Sequence, residues 1–311
     1  MDSLEHFKFD FKDQINGLNQ ISSKKKREDC IYIGSGDSYV AGLIAEYLSD
    51  HRCRCYSPSD LIRSRFLFEG TYYFISVTGK TRSNIEIARR ATKAGARTVA
   101  VTLNTSSELA LACNDIIPLE ITLTDNTTSF STFTANVVTC LQLAGILVPR
   151  KFETWHENGI KLSADSRSVR LPKNVLHILG NDILYPIALY TSLKMTEFFG
   201  ITTIANKLEE FCHSPVFGVK PSHNLWILGQ NETAIGQKLG KLDNEFNYFE
   251  LKNSDILSKL FESIFFLQSF ILLLCERYKQ NELKYVEMKK VLKISCDIIY
   301  KGSAQYEIHS V

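Results

Sequence analysis

The stretch Cys30-Ile31-Tyr32-Ile33-Gly34-Ser35-Gly36-Asp37-Ser38-Tyr39 decides the fold. Four apolar residues without polar alternation read as a strand buried on both faces. Two glycines and two serines then turn the chain, and residues 39–48 continue at helical spacing. A buried strand that feeds a helix through a tight polar turn is the opening of a parallel α/β sheet. The pattern repeats downstream. Residues 53–56, 72–77, 98–103 and 115–119 read as strands, 83–94 as a helix closed by Gly95, and 133–147 as a long apolar helix stopped by Pro149.

Residues 151–173 are polar and carry no strong period, which predicts a linker. Alternation then restarts, with strands at 175–179 (followed by Gly180), 201–205, 225–228 and 246–251, and helices at 186–199 and 256–278. Upstream, residues 5–22 have helical spacing, and Lys24-Lys25-Lys26-Arg27 closes that helix with cations that oppose its dipole. Both halves open with an apolar strand, a glycine, a short polar turn and a helix, so a duplicated α/β domain is expected. The expected organisation is an N-terminal helix at 1–28, a first domain at 29–150, the linker, and a second domain with a C-terminal tail at 174–311.

Composition narrows the function classes. A hydrophobic share of 44% and a charged share of 23% are those of a soluble globular protein, and a formal net charge of +2 offers no electrostatic case for nucleic acid or membrane. The start of the chain, Met1-Asp2-Ser3-Leu4-Glu5-His6, lacks the apolar core of a signal peptide. The most apolar run, residues 264–274, is shorter than the ~20 residues that span a bilayer and predicts a buried helix. Eight cysteines without a CxxC pair indicate buried thiols in a reducing, cytoplasmic setting. Cys53 and Cys55 lie two apart in a strand and share a face. Cys212 beside His213 is a poor thiol–imidazole pair if the segment is extended, because neighbours then point to opposite faces. The dispersed histidines show no metal-ligand pattern, and no cofactor is expected.

Two turns suit an anion. Gly34 to Ser38 and Ser76-Val77-Thr78-Gly79-Lys80-Thr81 both follow buried strands and precede helices. Their hydroxyls, together with open N–H groups and the positive end of a helix dipole, form a cradle for a group such as phosphate. Asn126-Thr127-Thr128-Ser129-Phe130-Ser131-Thr132 is a third polar turn of this kind. Serine and threonine also serve as ordinary helix caps, which is the competing account. Dinucleotide binding through Gly34-Ser35-Gly36 is disfavoured, because Tyr39 stands where the fingerprint needs a small residue.

In the second half, Glu197 stands near a helix end and His213 just before Pro215. A carboxylate and an imidazole can move protons on a small molecule, while a surface ion pair of Glu197 with Lys194 and a structural histidine are the plain alternatives. The run Ile178-Leu179-Gly180-Asn181-Asp182-Ile183-Leu184-Tyr185-Pro186-Ile187-Ala188-Leu189, then Ser192-Leu193-Lys194-Met195-Thr196-Glu197, then Glu210-Phe211-Cys212-His213-Ser214-Pro215, resembles the isomerase half of glucosamine-6-phosphate synthase. The first half agrees: Gly36-Asp37-Ser38, residues 76–81 and Ser131-Thr132 stand where that family has its phosphosugar turns.

The resemblance implies an α/β fold of two sugar isomerase (SIS) domains, each a parallel sheet flanked by helices. It implies that Gly36, Ser38, Ser76, Thr78, Gly79 and Thr81 hold a substrate phosphate, with Ser131 and Lys194 as further contacts. Glu197 would move the proton between C1 and C2, and His213 would assist ring opening from a neighbouring subunit of a homodimer or higher assembly. Lys301, with Lys293 behind it, would be the Schiff-base lysine. Val77 replaces an amide of the family pattern, Lys80 an acid, Asn181 a basic residue and Tyr190 a second acid. With Asp2 and no N-terminal cysteine nucleophile, ammonia transfer from glutamine is not expected. The implied activity is a phosphosugar aldose–ketose isomerase or an aminosugar-phosphate isomerase/deaminase. A bifunctional glucose/mannose 6-phosphate isomerase and a non-catalytic sugar-phosphate-binding regulator are the alternatives.

Overall fold

In the computed structural model, which describes residues 3–22, 29–66, 70–121, 129–229, 233–242, 244–251 and 253–301, helix α1 (Ser3–Gln20) precedes the buried strand β1 (Cys30–Ile33). There follow α2 (Asp37–Leu48), β2 (Arg54–Tyr56), β3 (Thr71–Ile75), α3 (Arg82–Lys93), β4 (Arg97–Thr102), α4 (Glu108–Ala112), β5 (Asp115–Pro118) and α5 (Phe130–Leu143). The strands form one five-stranded sheet in the order β2-β1-β3-β4-β5, parallel throughout. Alternate residues serve opposite faces. Ile31, Ile33, Tyr72 and Phe74 join Ile85, Ala88, Leu109 and Ala110 under α3 and α4. Tyr32 faces the other way, where its hydroxyl donates to the Cys140 carbonyl of α5 at 2.7 Å. Both faces are thus covered, which is why the central strands contain almost no polar residue.

The remaining elements are α6 (Phe152–Asp165), β6 (Leu176–Gly180), α7 (Leu184–Phe199), β7 (Thr203–Asn206), α8 (Leu208–His213), β8 (Asn224–Gly229), α9 (Thr233–Leu239), β9 (Glu245–Glu250), α10 (Ile256–Arg277), α11 (Lys284–Glu287) and α12 (Lys289–Cys296). Their strands form a second parallel sheet, β7-β6-β8-β9. Leu179, Leu225 and Ile227 pack on Leu208 and Phe211 of α8 on one face. On the other, Trp226 and Phe249 meet Phe270 of α10, with ring centroids 5.4–5.7 Å apart. Helix α10 is long and apolar enough to cross a membrane by length and composition, but residues such as Phe261, Phe265, Phe270 and Leu274 are fully buried in the protein. The chain divides into two compact units, one of residues 12–150 with 288–311, the other of residues 1–11 with 151–287.

Two local expectations are corrected. The stretch expected as a linker contains α6, which belongs to the second unit. Its buried positions are Phe152, Trp155, Gly159 and Ser163, a helical stripe in which two members are not apolar. Trp155 stacks on Phe261 at 4.8 Å and donates to Ser258 Oγ at 2.9 Å. A Cβ on Gly159 would lie 2.7 Å from the Phe266 nitrogen, so only glycine permits α6 to approach α10 this closely. The second correction concerns Cys212 and His213, expected on an extended segment. They sit on α8, nucleated by Glu209 and Glu210 in its first turn and anchored by buried Phe211. The basic run at 24–27 lies outside the described residues.

At the start of β6, His177 is 4% exposed and its Nε2 lies 3.1 Å from His223 Nδ1. Burial, and then His223, hold its pKa below the ordinary 6.5. Below pH 6.5 the unfolded chain therefore binds a proton at this position that the folded chain resists. Stability contributed by the neutral ring is present above that pH and is lost on acidification. Urea midpoints measured between pH 7.5 and about 5 should fall, and the His177→Leu variant should show a shallower fall.

Candidate active site

In the first sheet the chain steps from β1 to β2 on one side, then crosses to β3 on the other. The carboxyl ends of β1 and β3 therefore flank a topological switch point, where open α/β sheets leave a crevice for ligands. Gly34 to Ser38 follows β1, and Ser76 to Thr81 follows β3. Residue Gly36 is the N-cap of α2, with φ 57°, and offers no side chain to that helix. Thr81 is the N-cap of α3, and its side chain makes no capping bond. Both helices thus begin with first-turn N–H groups that no cap side chain satisfies. The third polar turn behaves differently. Ser129 caps α5 through a reciprocal box with Thr132, and Ser131 is 2% exposed with its hydroxyl 2.8 Å from Ser129 Oγ. The capping account holds there, and Ser131 stands inside the cap network. Asn126 to Thr128 lie outside the described residues.

The Ser76–Thr81 turn is held from several sides. Val77 carbonyl accepts from Thr102 Oγ1 at 3.1 Å and from the Leu103 N–H at 3.0 Å. Ser76 N–H donates to Val101 carbonyl at 3.0 Å, and Leu109 N–H to Gly79 carbonyl at 3.3 Å. Asn84, 1% exposed, donates through Nδ2 to Ile75 carbonyl at 3.3 Å, just before the turn. Ser107, the N-cap of α4, lies against Gly79, where a Cβ would fall 2.1 Å from Ser107 Oγ. Thr102, Ser107 and Asn84 were not singled out by sequence. They shape the turn through contacts distant in the chain, and no local motif marks them. Val77, in place of an amide, is 6% exposed, while Lys80 is exposed.

The second unit contains the ionisable groups. Lys194 and Glu197 face one another across one turn of α7, with Nζ 2.6 Å from Oε2. The lysine side chain is 5% exposed and the glutamate 38%, so a buried ammonium has a partly solvated counter-ion. Lys194 Nζ also lies 5.6 Å from the centre of the Tyr190 ring, and Tyr190 is fully buried with its hydroxyl 3.4 Å from Gln268 Nε2. Tyr285 of α11 is a further neighbour that sequence did not reveal. Burial pushes its phenol above the ordinary range, the Glu197 carboxylate pushes it further, and Lys194 opposes both. Asn181 accepts from the Leu208 N–H at 3.0 Å, tying the turn after β6 to α8. His213 is 72% exposed and its ring nitrogen lies 3.9 Å from Glu209, so Lys194 and Glu197 are brought together but His213 is paired elsewhere. Lys301 ends a π-helical turn (Asp297–Lys301), and its side chain lies outside the described residues. Lys293 is an exposed residue of α12.

No family model matches the sequence, and no curated protein matches it. Solved structures do match in fold. Glucosamine-6-phosphate deaminase from Thermotoga maritima aligns over 90% of this chain and 92% of its own, with TM-score 0.67 and 15% identity. The C-terminal domain of glucosamine-fructose-6-phosphate aminotransferase from Francisella tularensis aligns over 88% and 96%, with TM-score 0.64 and 14% identity. Tagatose-6-phosphate ketose/aldose isomerase from Escherichia coli aligns over 89% and 90%, with TM-score 0.64 and 15% identity. The chain therefore has the α/β fold of these proteins, with parallel sheets flanked by helices.

The turn geometry makes a direct stability prediction. Gly79 has φ 64°, a left-handed conformation that costs a residue with a Cβ roughly 1–2 kcal/mol. Gly79→Ala should lose more than this, because the new methyl group also meets Ser107 Oγ. Ser107→Gly in the same chain should restore the steric part and leave the conformational part, as read by denaturant midpoints.

Proposed function

We propose that this chain is a phosphosugar isomerase, of the aldose–ketose or the aminosugar isomerase/deaminase type, moving a proton between C1 and C2 of a hexose 6-phosphate. The observation that carries the reading is the pair of helix N-termini after β1 and β3, uncapped by side chains and set at the switch point of the first sheet. Backbone N–H groups there, with the hydroxyls of Ser38, Ser76, Thr78 and Thr81 and the close approach allowed by Gly36 and Gly79, suit a phosphate. The same fold in a glucosamine-6-phosphate deaminase and in a tagatose-6-phosphate isomerase supports the substrate class.

Glu197 is proposed as the base. Opening of the sugar ring exposes a carbonyl, the carboxylate takes the adjacent carbon-bound proton, and reprotonation one carbon away completes the isomerisation. The ammonium of Lys194 at 2.6 Å favours the ionised carboxylate, which is the form a base requires. His213 is proposed to assist ring opening in a neighbouring copy of at least a dimer, which its 72% exposure supports. Lys301 is proposed as the lysine that forms a Schiff base with the keto sugar. Ser131 and Lys194 are kept as substrate contacts, Lys194 is further proposed to orient Glu197, and a cytoplasmic location is kept as the setting. One observation favours a second reading, a sugar-phosphate-binding regulator without turnover: Glu197 is already the counter-ion of a buried lysine.

A panel of fructose, glucose, mannose and glucosamine 6-phosphates in deuterated water separates these readings. An isomerase places deuterium at C1 or C2, a glucose/mannose isomerase accepts both aldoses, a deaminase releases ammonia, and a regulator binds without exchange. Thr78→Ala should weaken sugar-phosphate binding by about 1.5–3 kcal/mol, the value of a hydrogen bond to a charged group. Glu197→Gln should retain binding and reduce exchange by roughly 10²–10⁴-fold. Wild-type exchange in that variant would leave Glu197 as a structural partner of Lys194. Light scattering at assay concentration should show at least a dimer, and a fully active monomer would remove the proposed role of His213.

A further inference from the structure

The first unit carries a pair of thiols outside the proposed chemistry. The parallel register of β1 and β2 pairs Ile31 with Arg54 and Tyr32 with Cys55. One step back, the same register sets Cys30 beside Cys53, and residues paired in this way point to the same face of the sheet. Neighbouring strands lie ~4.8 Å apart, within the Cα separation of ~4.4–6.8 Å that a disulfide bridges. Each thiol is the largest influence on the other's acidity. Position 53 is fixed independently: the Cys53 N–H donates to Ser49 Oγ at 3.0 Å, and two residues on the Cys55 N–H donates to Glu46 Oε2 at 2.7 Å.

We propose that Cys30 and Cys53 form a cross-strand dithiol that a peroxide closes to a disulfide, stapling β1 to the edge strand β2. The two thiols differ in acidity. The hydrogen bond from Cys30 lowers the Cys53 pKa to about 6 against the opposing effect of burial, and Ser49 and Arg52 lower it further. Donating that bond, together with burial, pushes Cys30 far above the thiol range. Cys53, held beside Ser49 and next to the Arg52 cation, is assigned as the nucleophile and Cys30 as the resolving thiol. The Cys53 thiolate attacks one peroxide oxygen, the O–O bond breaks, and the departing hydroxide takes a proton, leaving Cys53 as a sulfenic acid and one water. The Cys30 sulfur then displaces the second oxygen as water. In balance, two thiols and one hydrogen peroxide give one disulfide and two waters. Cys53 is fully buried, and it directly follows the turn of residues 49–52, where Asp50 and His51 are exposed, so an oxidant reaches it only when that turn opens. The closed ring would span residues 30–53, including the Gly34–Ser38 turn and α2. The proposal does not depend on the assignment of the reaction.

The test uses the full chain. Folded protein is treated with graded hydrogen peroxide, quenched, unfolded in iodoacetamide and digested without reduction for mass mapping. Cys212, which is exposed, serves as the internal gauge of oxidant delivery. The expected result is a Cys30–Cys53 linked peptide lighter by two hydrogen atoms, in a monomeric band, with a raised melting temperature that dithiothreitol reverses. Cys53→Ala should leave Cys30 fully alkylated after the same treatment. Recovery of both residues as alkylated thiols once Cys212 is fully oxidised would overturn the proposal. So would a link from Cys53 to Cys140 instead.

Discussion

The reversal of strand order between β1 and β3 is the constraint on which the rest of the first unit depends. A parallel sheet brings every following helix N-terminus to one edge, and each N-terminus carries N–H groups that the helix cannot satisfy. Some such termini are closed by a side chain, as Ser129 closes α5 and Ser107 closes α4. The two at the switch point are not, since α2 begins at a glycine and the Thr81 hydroxyl does not turn back onto α3. The fold therefore sets two helix N-termini without side-chain caps where the sheet also leaves space. The layer behind them is closed by Thr102, Ser107 and Asn84, while within the turn Lys80 N–H donates to Thr78 Oγ1 at 3.4 Å and Gly79 N–H to the Ser76 carbonyl at 3.2 Å.

The second unit repeats the topology with different chemistry. Its sheet has the corresponding order, β7-β6-β8-β9, but its distinguishing feature is an ion pair along α7. A lysine as buried as Lys194 needs a counter-ion, because removing one partner of a buried pair leaves an uncompensated charge at a cost of about 3–5 kcal/mol. The carboxylate of Glu197 is consequently held in one place, 2.6 Å from the ammonium. That is useful to a base, and it also ties any chemical role of Glu197 to the integrity of the helix. The Tyr190 ring lies 5.6 Å from the ammonium, and the Tyr285 phenol feels both charges.

Much of the architecture was legible in the amino-acid sequence. Strands such as Cys30–Ile33, Thr71–Ile75 and Asn224–Gly229 are short and mostly apolar, and helices such as Arg82–Lys93 carry clear periodicity. Buried parallel strands and amphipathic helices are local patterns, imposed residue by residue by which face meets water. The two phosphate-type turns were legible for the same reason, since glycine and hydroxyl residues next to a strand end form a local signal. Helix α6 was not legible: a stripe in which Gly159 and Ser163 are buried beside Trp155 has no hydrophobic period, and its burial exists only because α10 lies against it.

Tertiary structure decided the questions that depend on distance in space. Sequence offered Thr81 for the phosphate and Ser131 as a further contact without showing which hydroxyl serves a helix; the backbone places Ser131 inside a helix cap, while the Thr81 side chain makes no capping bond. Sequence left open whether Glu197 pairs with Lys194, and the fold sets the two 2.6 Å apart while it leaves His213 exposed on α8. Cys30 and Cys53 are scattered thiols in the chain and adjacent only through the register of β1 with β2. Local propensity and patterning act over a few residues, so the sequence by itself determined the elements and their order. Hydrogen-bond pairing, ion pairing and thiol proximity require groups distant in the chain to meet, and only the packed sheets determine which of them do.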